Sequence, residues 1–409
     1  MSTKTRLQHK RPIPIRLFNA LNGFGAVSKL DADRLIRKAK KQTGLHDFGS
    51  PGLEEPLHRL IESINQEAQL HAFGTMITEN RLLGILKTRL KAQQLFDQHP
   101  DILDRELPPL VVIAALQRTG TTMLQRLLSA DPQARGLFSW EAMNPVPIKH
   151  AAHHPDPRIK LTLKSEKGLR YIAPQFFAIH PVEHDAQEED VLLVDNSLIS
   201  SVATATMHVP SFEEWVSTTD QAPAYEWHNK FLKLLDWQRT GHHWVLKTPH
   251  HLEFLDALHQ QYPTVKLIMT HRHPKEIMAS FSSMLWHGRQ IFSNRGSAQE
   301  VTDTWVQKCV KMTENSTAFR DAHPEVAILD ISYYDLIKDP MQEIERIYAF
   351  LGYELTPSAK AAMEKTRSSN KKHKYGKHQY QLSDFNLTEV EINQKFAQYL
   401  DRYQNYLKP

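Results

Sequence analysis

The chain has 409 residues, of which 41% are hydrophobic and 23% charged, a composition typical of soluble globular proteins. Its 50 basic and 46 acidic side chains give a net charge of +4, which gives no reason to expect a nucleic-acid partner. A single cysteine, Cys309, excludes an intrachain disulfide and favours a reducing compartment. No uninterrupted apolar run reaches about 18 residues, so we expect no membrane span.

The first residues, MSTKTRLQHKRPIPIRL, are basic but lack the apolar core and cleavage site of a secretory signal. We therefore expect a cytoplasmic protein in which this segment is a loose tail, with contact to a surface as the alternative. The 23 histidines are scattered along the chain, and a single cysteine allows no cysteine-based ligand pattern, so we expect surface and capping histidines and no metal site.

Helical patterns fill residues 28 to 98. DADRLIRKAKKQTGL has apolar residues at helical spacing and an N-cap at Asp31. LEEPLHRLIESINQEAQL and ENRLLGILKTRLKAQQLFDQH repeat that spacing. Residues 1–104 are therefore predicted to form an N-terminal helical extension.

The period changes at Leu110. LVVIAAL is short, β-branched and apolar, which predicts a buried parallel strand, and TTMLQRLLSADP predicts a helix ended by Pro132. Three more strand–helix pairs follow, namely HWVLKTP with HLEFLDALHQQYP, VKLIMTHRHP with KEIMASFSSMLWHG, and EVAILDISYYDL with PMQEIERIYAFLG. The alternation predicts an α/β domain with a parallel sheet over 105–364, interrupted by a mostly helical insertion at about 150–240.

Residues 365–409 complete the chain. They begin with the basic loop RSSNKKHKYGKH and end with a predicted helix, TEVEINQKFAQYLDRYQNYL.

The loop between the first strand and its helix has the features of an anion site. Ligands of open parallel sheets bind beyond the carboxyl ends of the strands, where this loop lies. Unpaired N–H groups and the helix dipole attract an anion there. Gly120 allows close backbone approach, Thr121 and Thr122 offer hydroxyls, and Arg118 can bind an oxyanion with two N–H groups.

The loop departs from the nucleotide-hydrolase pattern. That pattern needs a glycine, four residues, then Gly-Lys-Ser/Thr, and the corresponding places here hold Ala115, Gly120, Thr121 and Thr122. Without the lysine that bridges the β- and γ-phosphates, nucleotide cleavage is poorly supported. Asp330, at the end of VAILD, keeps open an acid-held metal as a minor alternative.

ALQRTGTTMLQRLLSADP resembles the 5′-phosphosulfate loop of the sulfotransferases, whose usual form is G-x-P-R-[ST]-G-T-[ST]. The chain departs from it at Ala115 and Gln117 and retains Arg118, Thr119, Gly120, Thr121 and Thr122. The resemblance implies a P-loop-type three-layer α/β/α sandwich with a central parallel sheet and additional helices. It also implies 3′-phosphoadenylyl sulfate (PAPS) as donor, adenosine 3′,5′-bisphosphate as product, and no metal.

Two further motifs fit that family. THRHPKEIMAS resembles its 3′-phosphate motif, which implies that Arg272 at a strand end and Ser280 on the next helix bind that phosphate. WVLKTPHHLEFLDAL resembles the bacterial and tyrosylprotein-type branch, in which the lysine of a Lys-x-Pro turn approaches the transferred sulfate. Lys247 has that place, and a fixed ammonium there would stabilise the charge that develops on the leaving oxygen.

The acceptor hydroxyl needs a general base. Glu141, after the next predicted strand, is the first choice, because the tyrosylprotein-type branch keeps its glutamate at a similar distance. His184 is the second choice. Glu183, Glu188 and Glu189 are predicted to form a solvated acidic face or to contact a basic partner group. In the basic loop, Lys372, Lys374 or Tyr375 are candidate nucleotide contacts, although a solvated loop fits equally well.

These expectations describe a PAPS-dependent sulfotransferase acting on a small-molecule, lipid or glycan acceptor that bears a hydroxyl or, second, an amine. Two alternatives stay open. A nucleotide-dependent phosphotransferase would require Mg²⁺ and ATP, and a non-catalytic nucleotide-binding module would bind the donor without turnover. The apolar stretch YIAPQFFAI, 171–179, is a candidate acceptor pocket or simply core, and a homodimer is left open.

Overall fold

A computed structural model describes residues 11–23, 29–148, 155–369 and 380–408. Its centre is a sheet of five parallel strands in the order β2-β3-β1-β4-β5. The strands are β1 (Leu110–Ile113), β2 (Ala134–Gly136), β3 (His243–Lys247), β4 (Lys266–His271) and β5 (Ile328–Ser332). The predicted α/β class with a parallel central sheet is confirmed.

The strand order makes β1 the hub of the sheet. It pairs with β3 on one side, where Ile113 lies opposite Lys247, and with β4 on the other, where Ile113 lies opposite Ile268. The chain therefore crosses from one side of β1 to the other, and such a switch point is where ligands bind in open α/β sheets. The loops that leave β1, β3 and β4 meet at this carboxyl edge.

Each face of the sheet has its own core, because successive residues of a strand point to opposite faces. Val112 and Leu246 belong to the larger core, which also includes Leu35 and Leu86 of the N-terminal helices. Val111 and Ile113 belong to the smaller core on the other face. The predicted N-terminal extension therefore shares a continuous core with one face of the sheet.

Helices cover both faces and give the three layers. The N-terminal ones are Ile13–Asn22, Ala32–Thr43, Glu54–Ser63, Ala72–Gln98 and Asp101–Asp104, with a π-helical turn at Ile64–Ala68. Those that follow or flank the strands are Thr121–Leu128, Ser139–Met143, Leu255–Gln261, Pro274–Arg289, Ala298–Ala322, Tyr333–Lys338, Pro340–Leu351 and Pro357–Ser369.

The segment between β2 and β3 is helical. Its helices are Pro157–Ile172, Pro174–Ile179, Val191–Val194, Val202–Thr206, Pro210–Thr218 and Ala222–Gln238.

Short 3-10 turns occur in this segment at Asp195–Ser197 and after β3 at Pro249–Glu253, Leu382–Phe385 and Gln404–Tyr406.

Some local predictions differ from the structure. The helix after β1 ends at Leu128, four residues before Pro132. The predicted C-terminal helix is divided into Glu389–Lys395, Ala397–Arg402 and the turn at Gln404–Tyr406. The aromatic side chains of this segment pack inward, and Tyr403 stacks on His271 of β4 with ring centroids 4.0 Å apart. Tertiary packing therefore overrides local helix propensity here.

Candidate active site

The loop after β1 has an unusual backbone. Arg118 and Gly120 both have positive φ angles, 65° and 88°. A Cβ on Gly120 would approach side-chain carbons of Tyr333 and Leu336 to 3.2 Å, so glycine suits this position sterically as well. Gly120 is the N-cap of the helix Thr121–Leu128, and the first N–H groups of a helix have no intrahelical partners. The loop therefore presents an anion-binding end at the carboxyl edge of the sheet.

The three threonines of the loop have different roles. Thr119 is buried, and its hydroxyl lies 2.6 Å from both the carbonyl of Leu116 and the hydroxyl of Thr270. Its side chain therefore ties the loop to β4, and only its backbone remains for a ligand. Thr121 is buried and Thr122 is exposed at the helix start.

The structure brings Arg118, Arg272 and Ser280 together from three separate elements. Arg118 Nε donates to Ser280 Oγ at 3.0 Å, and Arg272 Nη1 donates to the carbonyl of Arg118 at 3.0 Å. Arg272 also lies 4.1 Å from the ring centroid of Tyr333 and donates to Glu276 at 2.9 Å. Burial lowers the pKa of Arg118, and the nearby charge of Arg272 contributes to the same shift. Within the described ranges Arg118 forms no salt bridge with a carboxylate.

Lys247 ends β3 beside this loop and is almost fully buried. Its Nζ lies 2.6 Å from Glu189 Oε1, and the hydroxyl of Thr248 donates to Glu189 Oε2 at 3.3 Å. The Glu189 side chain keeps 24% of its exposure, so it faces an opening rather than the core. A cation and a carboxylate thus lie at the carboxyl edge of the sheet, on the strand adjacent to the phosphate loop.

Glu189 and Glu183 do not form the solvated acidic face that the sequence suggested as one option. Glu183 accepts a hydrogen bond from Arg126 at 2.9 Å, and Glu189 is paired with Lys247. Burial raises the pKa of Glu188, which accepts a hydrogen bond from the backbone N–H of Glu189. Glu183 directly precedes His184, and Glu188 and Glu189 follow it by four and five positions.

His180 is a site residue that sequence reasoning missed. Burial, together with the charges of Lys247, Arg118 and Arg126, lowers its pKa to about 4, while Glu189 alone opposes that shift. The imidazole is therefore neutral near pH 7 and lies among the cations of the site. It follows the helix Pro174–Ile179, and no motif in the sequence distinguishes it from the other histidines.

The two predicted bases are held differently, Glu141 at both carboxylate oxygens and His184 at Nδ1, which leaves the Nε2 of His184 to accept a proton. Glu141 is fully buried, and Arg135 donates to its two oxygens at 2.9 and 2.8 Å. Arg239 lies 3.2 Å from Oε2, and the backbone N–H of Phe138 donates to the same oxygen. The carboxylate is buried as well as held at both oxygens, so an acceptor hydroxyl cannot reach it, and the geometry does not support Glu141 as the base. His184 is held by Glu166, whose carboxylate lies 2.7 Å from its Nδ1.

Asp330 does not have the free oxygens that a metal would need. Arg320 donates to both carboxylate oxygens at 2.7 and 2.8 Å, and His271 lies 2.8 Å from Oδ1. Although burial alone would raise it, these hydrogen bonds lower the pKa of Asp330 to about 2. Asp330 thus links β5 to β4 and to the helix that carries Arg320.

The candidate nucleotide contacts of the basic loop, Lys372, Lys374 and Tyr375, lie outside the described residues.

The predicted acceptor stretch 171–179 is partly core. Phe177 is buried, and the guanidinium of Arg170 lies over its ring. The ring of Phe176 packs against Gly288, where an added Cβ would come within 3.2 Å of it.

In the described part of the chain, no helix is long and apolar enough to cross a bilayer.

Comparison with known proteins places these features in a family. The model of the sulfotransferase family matches residues 109–357. Two curated relatives, both named omega-hydroxy-beta-dihydromenaquinone-9 sulfotransferase Stf3, come from Mycobacterium bovis and Mycobacterium tuberculosis. Each is 25% identical over 267 residues, which make up 60% of this chain and 63% of the relative. The chain thus spans less than two thirds of the length of these relatives.

Solved structures agree with the family match. Sulfotransferase STF1 from Mycobacterium tuberculosis is similar with a TM-score of 0.79 at 30% identity, over 90% of this chain and 99% of that one. Sulfotransferase STF9 from Mycobacterium avium shares the fold, with a TM-score of 0.83 at 22% identity over 93% and 99% of the two chains.

Proposed function

Because the chain belongs to the sulfotransferase family, we propose that it transfers the sulfuryl group of PAPS to a hydroxyl acceptor. The observation that carries the donor assignment is the contact between Arg118, Arg272 and Ser280. Two guanidinium groups and a hydroxyl beside a helix N-terminus form a donor set suited to phosphate oxygens. Arg118 has no carboxylate partner in the described ranges, so its charge is available to an anionic ligand.

The assignment of subsites follows from their positions. The loop from Arg118 to Thr122 would hold the 5′-phosphosulfate at the start of its helix, and Arg272 with Ser280 would hold the 3′-phosphate. When bound, PAPS supplies an activated sulfuryl group. Lys247 would stabilise the charge that develops on the bridging oxygen as the S–O bond breaks. Lys372 and Tyr375 stay predicted nucleotide contacts.

Glu189 is the base that the geometry supports best. Its carboxylate lies 2.6 Å from Lys247 Nζ, within one hydrogen bond of the group assigned to the bridging oxygen of the donor. An acceptor hydroxyl that reaches sulfur therefore approaches Glu189, which would take its proton. Neutral His180 is the second candidate, since anionic groups of the donor would offset the cations that lower its pKa.

For the acceptor, a lipid alcohol is the first class to test. The curated relatives are named for an omega-hydroxylated dihydromenaquinone, which combines a hydroxyl with an apolar chain. Small phenols and glycans are the other acceptors in that screen.

The donor assignment is tested by isothermal titration of wild type and Arg272→Ala with adenosine 3′,5′-bisphosphate and, separately, with ATP, all in EDTA. We expect micromolar binding of the bisphosphate, a loss of about tenfold or more in the variant, and weaker binding of ATP. Transfer of label from PAPS to the acceptors then tests catalysis.

Other outcomes favour the alternatives. ATP that binds as well as the bisphosphate, or an Arg272→Ala variant that binds it unchanged, would contradict the donor site and favour a phosphotransferase. Donor binding with no turnover on any acceptor would favour a non-catalytic nucleotide-binding module.

A further inference from the structure

The helix Ile13–Asn22 exposes a row of large apolar side chains. The exposed fraction is 68% for Ile13, 58% for Leu17 and 85% for Leu21. Because they are four residues apart, they lie along one face of the helix, and Phe18, 37% exposed, widens it. We call this row, Ile13, Leu17, Phe18 and Leu21, the apolar ridge. A row of this kind on a soluble surface marks an interaction site.

The ridge is exposed although the helix itself is docked. Ile15, on the opposite face, is buried. The side-chain oxygen of Asn19 accepts a hydrogen bond from the backbone N–H of Phe73 at 2.9 Å. Just before the helix, the guanidinium of Arg11 donates to the carbonyl of Gln290 at 2.6 Å and to that of Ser293 at 3.2 Å. The body of the protein thus holds the helix with its ridge outward.

The sequence around the apolar ridge is basic, which favours an anionic partner. The first 30 residues contain no acidic side chain and six basic ones, Lys4, Arg6, Lys10, Arg11, Arg16 and Lys29. Arg16 on the helix and Lys29 after it are exposed, whereas Arg11 is held by the carbonyls of Gln290 and Ser293. An apolar face flanked by basic residues suits an anionic bilayer, which accepts the side chains into its acyl boundary and attracts the cations. A second copy of the chain would bring two basic segments together, which Coulomb repulsion opposes.

We propose that the apolar ridge, together with the exposed cations Arg16 and Lys29, attaches the protein to the surface of an anionic lipid membrane. The helix would lie in the plane of the interface, since its 10 residues are too few to span a bilayer. This surface attachment uses none of the residues assigned to sulfuryl transfer, so it stands or fails independently of the proposed function.

The test is co-sedimentation of the full chain with vesicles of phosphatidylcholine alone and of equal parts phosphatidylcholine and phosphatidylglycerol. Leu17→Glu removes the centre of the ridge. Val390→Glu is the matched control, because Val390 is also an exposed apolar residue on a short helix, with 66% exposure. Far-ultraviolet circular dichroism and the midpoint of urea unfolding check that each variant is folded.

We expect wild type to bind the anionic vesicles, and to bind them less as salt screens the basic charges. Leu17→Glu should bind about tenfold or more weakly, and Val390→Glu should match wild type. Equal binding of wild type to neutral and anionic vesicles, or equal losses in the two variants, would overturn the proposal. Absent vesicle binding, together with a dimer that Leu17→Glu converts to a monomer, would instead assign the ridge to a second copy.

Discussion

At the residue scale, the ion pair formed by Lys247 and Glu189 is the place to test the proposed chemistry. Glu189→Gln keeps an oxygen for Lys247 but removes the basicity, so we expect kcat to fall by about 10²- to 10⁴-fold. Affinity for adenosine 3′,5′-bisphosphate should not change, because the carboxylate is not assigned to the nucleotide. The measurement is steady-state kinetics with titration of the bisphosphate.

Glu183→Gln is the matched control for that variant, since Glu183 is paired with Arg126 rather than with Lys247. It should retain much more activity. If Glu189→Gln keeps its kcat while His180→Asn loses it, the base is His180 instead.

Glu141 gives a second test at the residue scale. Removing one partner of its buried pair with Arg135 leaves an uncompensated guanidinium, which typically costs about 3–5 kcal/mol. We therefore expect Glu141→Gln to lower the free energy of unfolding by roughly that amount in urea denaturation. The folded fraction should retain most of its kcat. A stable variant with a greatly reduced kcat would restore Glu141 as the base.

At the element scale, Asp330 joins β5 to the helix Ala298–Ala322 through Arg320 and to β4 through His271. Its pKa of about 2 in the folded state lies below the ordinary value of 3.8. The stability contributed by the carboxylate is therefore fully present above pH 3.8 and is lost as the pH falls through 2. This difference in pKa corresponds to about 2 kcal/mol in the free energy of unfolding.

Asp330→Asn isolates this contribution. We expect the variant to be less stable than wild type at pH 5, and the difference in unfolding free energy to shrink by about 2 kcal/mol toward pH 2. Urea denaturation of both proteins at the two pH values measures it. A difference that does not change with pH would show that Asp330 contributes through shape rather than charge.

At the scale of the whole molecule, the site results from the order of the strands. Since β3 and β4 flank β1, the residues that follow these three strands meet at one edge although they are far apart in the chain. Arg118 and Ser280 contact each other across 162 positions, and Arg272 and Arg118 across 154. The N-terminal helices from Ala32 onward pack into the same core as one sheet face. The helix Ile13–Asn22 lies outside that core, where Asn19 accepts a hydrogen bond from the backbone of Phe73.

The sequence by itself determined the class of fold, the phosphate loop and the meeting of Arg118, Arg272, Ser280 and Lys247 at one edge. The fold class follows from local periodicity, and the rule that the carboxyl ends of parallel strands share an edge brings the loops after them together. The choice of Arg272, Ser280 and Lys247 rests on the resemblance to the sulfotransferases. Only the tertiary structure decided which acid is available. In sequence, Glu141 and Glu189 are both glutamates near apolar residues. In space, Glu141 is enclosed by Arg135, whereas Glu189 reaches Lys247 across 58 positions. The availability of a carboxylate depends on its contacts with distant residues, and no local pattern encodes those contacts.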